Sequence, residues 1–572
     1  MQVVSVVPDV TGLDRVFDYE VPAEIGFTPQ IGDLVRVPLH GRNVRGWVVR
    51  VSDVAAVDGS KLKPILALLG CGPNRDVVEL AEWTARRWCG RWRSVLVAGT
   101  SSTLVRKLPT ARYSPQPSVP DSALAVFDQP RTVVVRRGPR WDLNQFVRRI
   151  ASRGPVLVVT PTLGRATALR AALRGMGLVV AMHPEEWSSV AGGVDVTVGA
   201  RSAVFASVPS LASVVVVDEH DDALQESRNP TWHARDVAVE RARRAQIPCF
   251  LLSPIPSVAA IEHAQGVVDS LEGEPDYWPT VEVVDRTTDE RWADSLVSSR
   301  LVEIVRDQSK RVVVVLNVKG RSRLLACATC RTIVGCDKCG GAVQEHDTGL
   351  VCSRCATTRP AVCLGCSSTK FRNLRPGVKR LGDDLLKASG RAASSLCVVE
   401  EGGEVEQRAS LFVGTEAALH RVRRPDVVVF ADFDQELFAP RFRASEIAAG
   451  LVVSAARQVD GGAVVVQTHA PGHHLLQALR DRRFDTFAQI ESNARRELAL
   501  PPFSVVVSFG GAGGAEAARS LTSRHDLLAW SSGDKTVVRF LDANQLILAL
   551  EGSADELHRL KDVRMHVDPP RL

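Results

Sequence analysis

Eight of the twelve cysteines of this 572-residue chain fall between positions 327 and 366, as four Cys-x-x-Cys pairs: Cys327/Cys330, Cys336/Cys339, Cys352/Cys355 and Cys363/Cys366. One such pair can be a redox dithiol. Four together are a pattern of metal ligation, because each pair supplies half of a tetrahedral thiolate site. Arithmetic alone leaves three ways of combining the pairs into two sites. The other four cysteines, Cys71, Cys89, Cys249 and Cys397, are scattered and read as small buried hydrophobes.

Local chemistry selects one of the three combinations. Between the second and third pairs stands Gly-Gly-Ala-Val-Gln-Glu-His-Asp-Thr-Gly-Leu-Val (340–351), which reads as a short hairpin turning at Asp347-Thr348-Gly349. A hairpin flanked by two Cys-x-x-Cys pairs is a zinc ribbon. It places Cys336, Cys339, Cys352 and Cys355 on one ion and leaves Cys327, Cys330, Cys363 and Cys366 for a second. Four thiolates leave no open position for water, so the expectation is two structural Zn2+ per chain; rubredoxin-type iron would use the same ligands. His346, within the hairpin, reads as a turn residue and not as a ligand.

A chain of this length needs several cores. Residues 1–105 open with short apolar segments, Val3–Val7, Val16–Val21, Leu34–Leu39 and Gly46–Val51, broken by Pro and Gly, followed by helical periodicity from Asp76 to Trp92. They predict a β-rich domain. A Pro- and Ser-rich stretch, 106–130, reads as a linker. Fully apolar runs then recur at Thr132–Val135, Val156–Val159, Val194–Val198, Val214–Val217 and Cys249–Leu252. A second set follows at Val312–Leu316, Leu396–Val399, Leu411–Val413, Val427–Phe430 and Ala463–Val466. Strands without alternation are buried on both faces, which predicts parallel sheets covered by helices. Two such lobes, 131–270 and 271–480, with the cysteine module inserted at 322–370, are the plan of a helicase-type motor. Residues 481–572 predict a small α+β domain, with strands at Val505–Phe509, Val537–Leu541 and Gln545–Leu550 and helices near 515–523 and 553–561.

The 45% apolar content suits an ordinary soluble protein, and no run approaches the length needed to span a bilayer. The start, Met1-Gln-Val-Val-Ser-Val-Val, lacks a basic n-region, so no signal peptide and a cytoplasmic, nucleoid-associated location are expected. Net charge is +6. Arg36, Arg42, Arg45 and Arg50 lie in a stretch without acidic residues; Arg86, Arg87, Arg91 and Arg93 alternate with Trp83, Trp88 and Trp92. Arginine beside aromatics suits phosphate contact with base stacking, but equally a solvated helix face with its tryptophans in the core.

Lys319-Gly-Arg-Ser-Arg-Leu-Leu-Ala-Cys327, followed by cysteine pairs at these intervals, resembles the zinc insertion of the PriA family of replication-restart proteins. Matches continue in order along the chain: Val16-Phe-Asp-Tyr-Glu-Val-Pro22 and Val35-Arg-Val-Pro38, Val198-Gly-Ala-Arg-Ser-Ala-Val-Phe205, Asp218-Glu-His-Asp221, Trp232-His-Ala-Arg-Asp236, Gln467-Thr-His469 and Leu500-Pro-Pro-Phe503. The resemblance implies a DNA 3′-end-binding domain at 1–105, in which Phe17, Asp18, Gly41 and Lys63 match the pocket for the leading-strand 3′ end. It implies branched replication forks, primosome proteins, the replicative helicase with its loader and single-stranded-DNA-binding protein as partners. The family's winged helix is missing, since 106–130 is too short to hold one.

The same resemblance sets a test that the chain fails. A phosphate-binding loop, G-x-x-x-x-G-K-[ST], wraps phosphates with backbone N–H groups and neutralises them with lysine. After Thr132–Val135 stands Arg-Arg-Gly-Pro-Arg-Trp-Asp-Leu (136–143), and Gly-Lys occurs nowhere in the chain. Ser253-Pro-Ile-Pro-Ser257 replaces the family's Ser-Ala-Thr-Pro motif, and of its paired arginines Arg457 is present while Ser454 stands for the other. A Walker-B-like pair, Asp218 and Glu219, persists, and in a working motor would hold Mg2+ and position water. The expectation is a fork-binding protein that does not hydrolyse ATP. The competing reading is an ATP-dependent 3′→5′ helicase with a non-standard loop.

Overall fold

The computed structural model describes residues 2–22, 26–53, 62–115, 129–268, 277–288, 295–317, 325–373 and 378–569, short of positions 331, 342, 347, 348, 353, 354, 356, 401, 440, 460, 533 and 558. The motif around Lys319, the hairpin turn at Asp347-Thr348, most of the linker and the expected lobe boundary near 270 lie outside these residues.

The first domain is a six-stranded sheet in the order Lys63–Pro64, Phe17–Glu20, Val3–Pro8, Arg42–Ser52, Leu34–Leu39, Ala67–Gly70. Its two outermost strands belong to one continuous segment. Ile65 N donates to Glu20 O at one edge (3.0 Å) and Leu66 N to Arg36 O at the other (2.8 Å). The sheet therefore closes on itself, and the edges that would invite mispairing are paired. Trp47, fully buried, donates its indole N–H to Thr100 Oγ1 at 2.9 Å, tying the barrel to the segment after the helix Trp92–Gly99.

Two parallel sheets follow, each with fully buried valine-rich strands as the unbroken apolar runs predict. The first is seven-stranded, ordered Val267–Val268, Thr132–Arg136, Cys249–Ser253, Ser213–Val217, Val156–Val159, Val196–Gly199, Val180–His183. The second is six-stranded, ordered Thr280–Asp285, Ala463–Thr468, Val427–Phe430, Val312–Val315, Leu411–Gly414, Leu396–Val399. The helix Phe484–Glu497 packs on the second lobe, where Phe484 and Phe487 join its core. By packing, the second lobe thus reaches beyond the expected boundary at 480.

The C-terminal sheet is antiparallel, ordered Leu528–Ser532, Lys535–Phe540, Val505–Gly510, Arg564–Val567. The strand expected at Gln545–Leu550 is instead part of a helix, Ala543–Gly552. Asp542 caps it by accepting from Gln545 N at 2.8 Å. Leu546 and Ala549 are buried while Leu548 is 65% exposed, a helical period that so short an apolar run does not declare by itself. This domain shares one core with the first domain and first lobe, through Trp47, Trp88, Phe205, Trp232, Phe509 and Phe540 among others.

That shared core decides the second basic run. Trp88 and Trp92 are buried, and Arg87 pairs with Asp568 at 3.4 Å while Arg93 and Arg45 both pair with Asp9. Trp88 and Trp92 are core and cannot stack on bases, whereas Trp83 is only partly buried and Arg86 and Arg91 are exposed. Cys249 and Cys397 are buried as expected, whereas Cys71 and Cys89 are half-buried. Among the described residues no helix is long and apolar enough to cross a membrane.

Trp47→Ala removes a buried ring and a hydrogen bond together, and should destabilise the first domain by about 3–5 kcal/mol. Trp47→Phe should cost markedly less, and denaturant unfolding of both variants checks the difference.

Candidate functional site

The cysteine module is built on two small sheets. Leu325–Cys327 pairs with Phe371–Asn373, closing the ends of the insertion, and Val343–His346, Gly349–Cys352 and Thr358–Arg359 form a three-stranded sheet between them. Cys327, Cys330, Cys363 and Cys366 come together in one group and Cys336, Cys339, Cys352 and Cys355 in another, each with all sulfurs within 4.8 Å of one another. Neighbouring Sγ atoms are 3.5 Å apart for Cys327–Cys366 and Cys330–Cys363, 3.6 Å for Cys336–Cys355 and 3.4 Å for Cys339–Cys352. These separations are far beyond a disulfide's ~2.05 Å. They approach the ~3.8 Å edge of a tetrahedron with ~2.3 Å metal–sulfur bonds. The donor set fits a four-thiolate metal site twice over. The inner group is part of a small core with Leu325, Val334, Val343 and Leu350, whereas Cys330 and Cys366 of the outer group are exposed. His346 stands on a strand opposite Gly349.

In the first domain, Phe17 and Asp18 begin the second strand. Phe17 packs half-buried on the barrel core, and Asp18 accepts a hydrogen bond from Ser5 Oγ at 2.7 Å. Lys63, exposed, lies on the adjoining strand, in register with Tyr19. These three residues share one edge of the sheet. Gly41 is placed elsewhere, in the two-residue turn between Leu34–Leu39 and Arg42–Ser52, where His40 (φ 46°) and Gly41 (φ 78°) are both left-handed. The hydroxyl of Tyr19 donates to Pro38 O at 3.2 Å, the link between the two regions.

Between the lobes, Asp142, Asp218 and Glu219 each have protein partners. The helix Leu143–Ala151, which follows the degenerate loop, begins with Asp142, whose carboxylate accepts from Asn144 N (3.0 Å) and Gln145 N (3.3 Å). A carboxylate thus occupies the anion position of that helix N-terminus. Asp218, left-handed at φ 53° after the strand Ser213–Val217, is met from the second lobe by Arg457. Arg457 Nη1 is 2.9 Å from Asp218 Oδ2, its Nη2 bonds Oδ1, and its Nε donates to Pro139 O at 3.1 Å. Arg165 Nε is a further 3.1 Å from Asp218 Oδ2. Burial alone would raise the Asp218 carboxyl, but the two guanidiniums hold it below the ordinary carboxylate range.

Glu219 is turned into the fold. It accepts from Ser257 N and Ser257 Oγ, both at 2.7 Å, and pairs with Arg235 at 3.3 Å. Burial pushes its pKa up in spite of those partners. Ser257, in the degenerate coupling motif, caps the helix Val258–His263, whose first N–H, from Val258, donates to Glu446 of the second lobe at 2.6 Å. Glu446 also pairs with Arg443 at 3.2 Å and Arg495 at 2.8 Å, and Arg443 reaches Asp222 and the His220 carbonyl, both at 3.3 Å. An interlobe cleft of about 400 Å3 is lined by Ser454, by the acidic residues Asp221, Asp222, Glu416 and Glu436, and by Arg441 and His420. Sequence reasoning missed Asp142 and Arg165, and quoted Arg235 only as part of the motif Trp232–Asp236 without a role. Only Asp142 carried a local signal, an N-cap residue ahead of an apolar-periodic segment.

Cys336→Ser should lose the inner metal and leave the outer one, so metal analysis should fall from two ions per chain to one. For Asp218, a depressed folded pKa contributes stability above the unfolded value, about 3.9, and loses it as pH falls below. Thermal unfolding of Asp218→Asn should therefore fall short of the parent's at neutral pH, by about 3–5 kcal/mol for a buried pair left half-made, with the gap closing in acid.

Residues 3–100 match the family model of the PriA 3′ DNA-binding domain (3′BD). Over the longer chain, the replication restart protein PriA of Bacillus subtilis is 27% identical across 63% of this chain and 50% of its own length. The probable replication restart protein PriA of Mycobacterium leprae is 28% identical across 88% of this chain and 87% of its own. The chain thus spans about half the length of the Bacillus relative and nearly all of the mycobacterial one. Among solved structures, yeast Dbp5 bound to RNA and ADP BeF3 aligns with 64% of this chain and 89% of its own at 11% identity and a TM-score of 0.34. The chain is thus similar to a PriA 3′ DNA-binding domain over residues 3–100 and to PriA replication restart proteins over as much as 88% of its length.

Proposed function

We propose that this protein binds branched replication forks at a free leading-strand 3′ end and promotes reloading of the replicative helicase without hydrolysing ATP. The match of residues 3–100 to a 3′ DNA-binding domain supports the DNA half of this reading. The observation that carries the other half is the pairing of Asp218 with Arg457, which puts a protein cation where Mg2+ would have to sit. The capped helix at Asp142 and the loss of Gly-Lys point the same way.

In this reading Asp18 accepts a hydrogen bond from the terminal 3′-hydroxyl, Lys63 pairs with a backbone phosphate, and Phe17 completes the pocket. The two thiolate sites hold Zn2+ and shape the module that meets primosome proteins. Its partners are the helicase loader, the replicative helicase and single-stranded-DNA-binding protein, and it acts in the cytoplasm at the nucleoid.

Binding of forks ending in a 3′-hydroxyl or a 3′-phosphate, followed by fluorescence anisotropy, tests the first half. The hydroxyl should be preferred, and Asp18→Asn should cut that preference by about tenfold, the size of one hydrogen bond to a charged group. ATP hydrolysis with and without the same forks tests the second half. DNA-stimulated turnover that disappears in Glu219→Gln would establish the active-helicase reading instead.

A further inference from the structure

The two parallel lobes are joined by contacts between their own charged side chains. In a motor, closure must depend on nucleotide, because a ligand shifts a hinge only by its differential affinity for the open and closed states. Here closure is made by the chain's own charges, in two clusters on either side of the cleft. One joins Asp218 and Arg165 of the first lobe to Arg457 of the second, with Arg457 also bonded to the Pro139 carbonyl and Arg140 to the Val459 carbonyl at 3.2 Å. The other joins the Val258 amide, the His220 carbonyl and Asp222 of the first lobe to Glu446 and Arg443 of the second, with Arg495 beneath them. Glu446, Arg443, Arg495 and Asp218 are nearly fully buried, while Arg457, Asp222 and Arg165 are partly exposed, so salt screens the centre of each cluster less than its rim.

Packing adds a third restraint. Gly450 of the second lobe lies against His220; a Cβ there would stand 3.2 Å from the ring, so the helix and the loop are already in contact. Ile255, between the two prolines of the degenerate coupling motif, is buried in the core of the second lobe. The first lobe shares its own core with the N-terminal barrel, while the cysteine module is inserted in the second.

We infer that the two lobes are locked shut without nucleotide, with Arg457 acting as the built-in counter-ion of Asp218, and that they serve as a rigid strut fixing the distance between the 3′ DNA-binding domain and the metal module. This deepens the non-hydrolytic reading, and its test reads a distance, not turnover or fork affinity, so each can fail alone.

The measurement is single-molecule energy transfer on the full chain, with dyes on unnatural amino acids at Arg148 and Glu303, exposed helical positions in the first and second lobes. Expected is one narrow distance, unchanged by millimolar ADP, by a non-hydrolysable ATP analogue, or by raising salt. Arg457→Glu, which faces Asp218 with a like charge, should broaden it, and adding Asp218→Arg should restore it. Should Arg457→Glu fail to fold, the isosteric Asp218→Asn, which leaves Arg165 and Arg457 facing each other unneutralised, should broaden the distance in a folded protein. A bimodal distance in the nucleotide-free parent, closure on adding nucleotide, or an unbroadened distance in folded variants would each overturn the inference.

Discussion

The contact on which the interlobe architecture turns is the ion pair of Asp218 with Arg457. A buried aspartate at the end of a parallel strand carries a charge that must be answered, and a carboxylate without partner in such a place costs several kcal/mol, on the order of the desolvation penalty of one ion. In a motor the answer is a metal ion carried in with nucleotide. Here it is a guanidinium supplied by the opposite lobe. Because Arg457 also bonds the Pro139 carbonyl, the loop after the strand Thr132–Arg136 is held by the same residue that satisfies the aspartate.

Once that pair is made, the neighbouring groups have consistent roles. Glu219 cannot face the cleft, since Ser257 and Arg235 take both its oxygens inside the fold. Ser257 then orients the short helix Val258–His263 so that its first N–H meets Glu446. The proline-rich replacement of the coupling motif thus works as a cap and a spacer. His220, buried between these charges, is pushed down to about 4, chiefly by burial, and stays neutral while accepting or donating to Ser253 Oγ at 2.7 Å.

The metal module follows a separate logic. It has too little apolar surface to fold on packing alone, and the inner cysteines double as members of its small core. The outer cysteines close the insertion at its base, beside the two-stranded sheet of Leu325–Cys327 and Phe371–Asn373. Where ligands gather in this way, metal binding and local folding are linked.

Some of this protein was readable from residues alone. Spacing paired the eight cysteines and the hairpin between the middle pairs assigned them to two groups, because two Cys-x-x-Cys pairs flanking a hairpin meet at one tetrahedral site. Unbroken valine runs declared two parallel sheets, because only a strand covered on both faces dispenses with polar positions. The absence of Gly-Lys could be read in the same way, because a phosphate loop of that type needs particular atoms in a local order. What tertiary structure alone decided concerns partners distant in sequence. Whether Trp88 and Trp92 stack on bases or fill a core depended on a C-terminal sheet more than 400 residues away, where Arg87 finds Asp568. Gln545–Leu550 became a helix because Asp542 capped it and its alternate turns met a shared core. That Arg457 answers Asp218, 239 residues earlier, was beyond any local pattern. Local chemistry is written in spacing, whereas the choice of counter-ion for a buried charge is made only when two lobes come together.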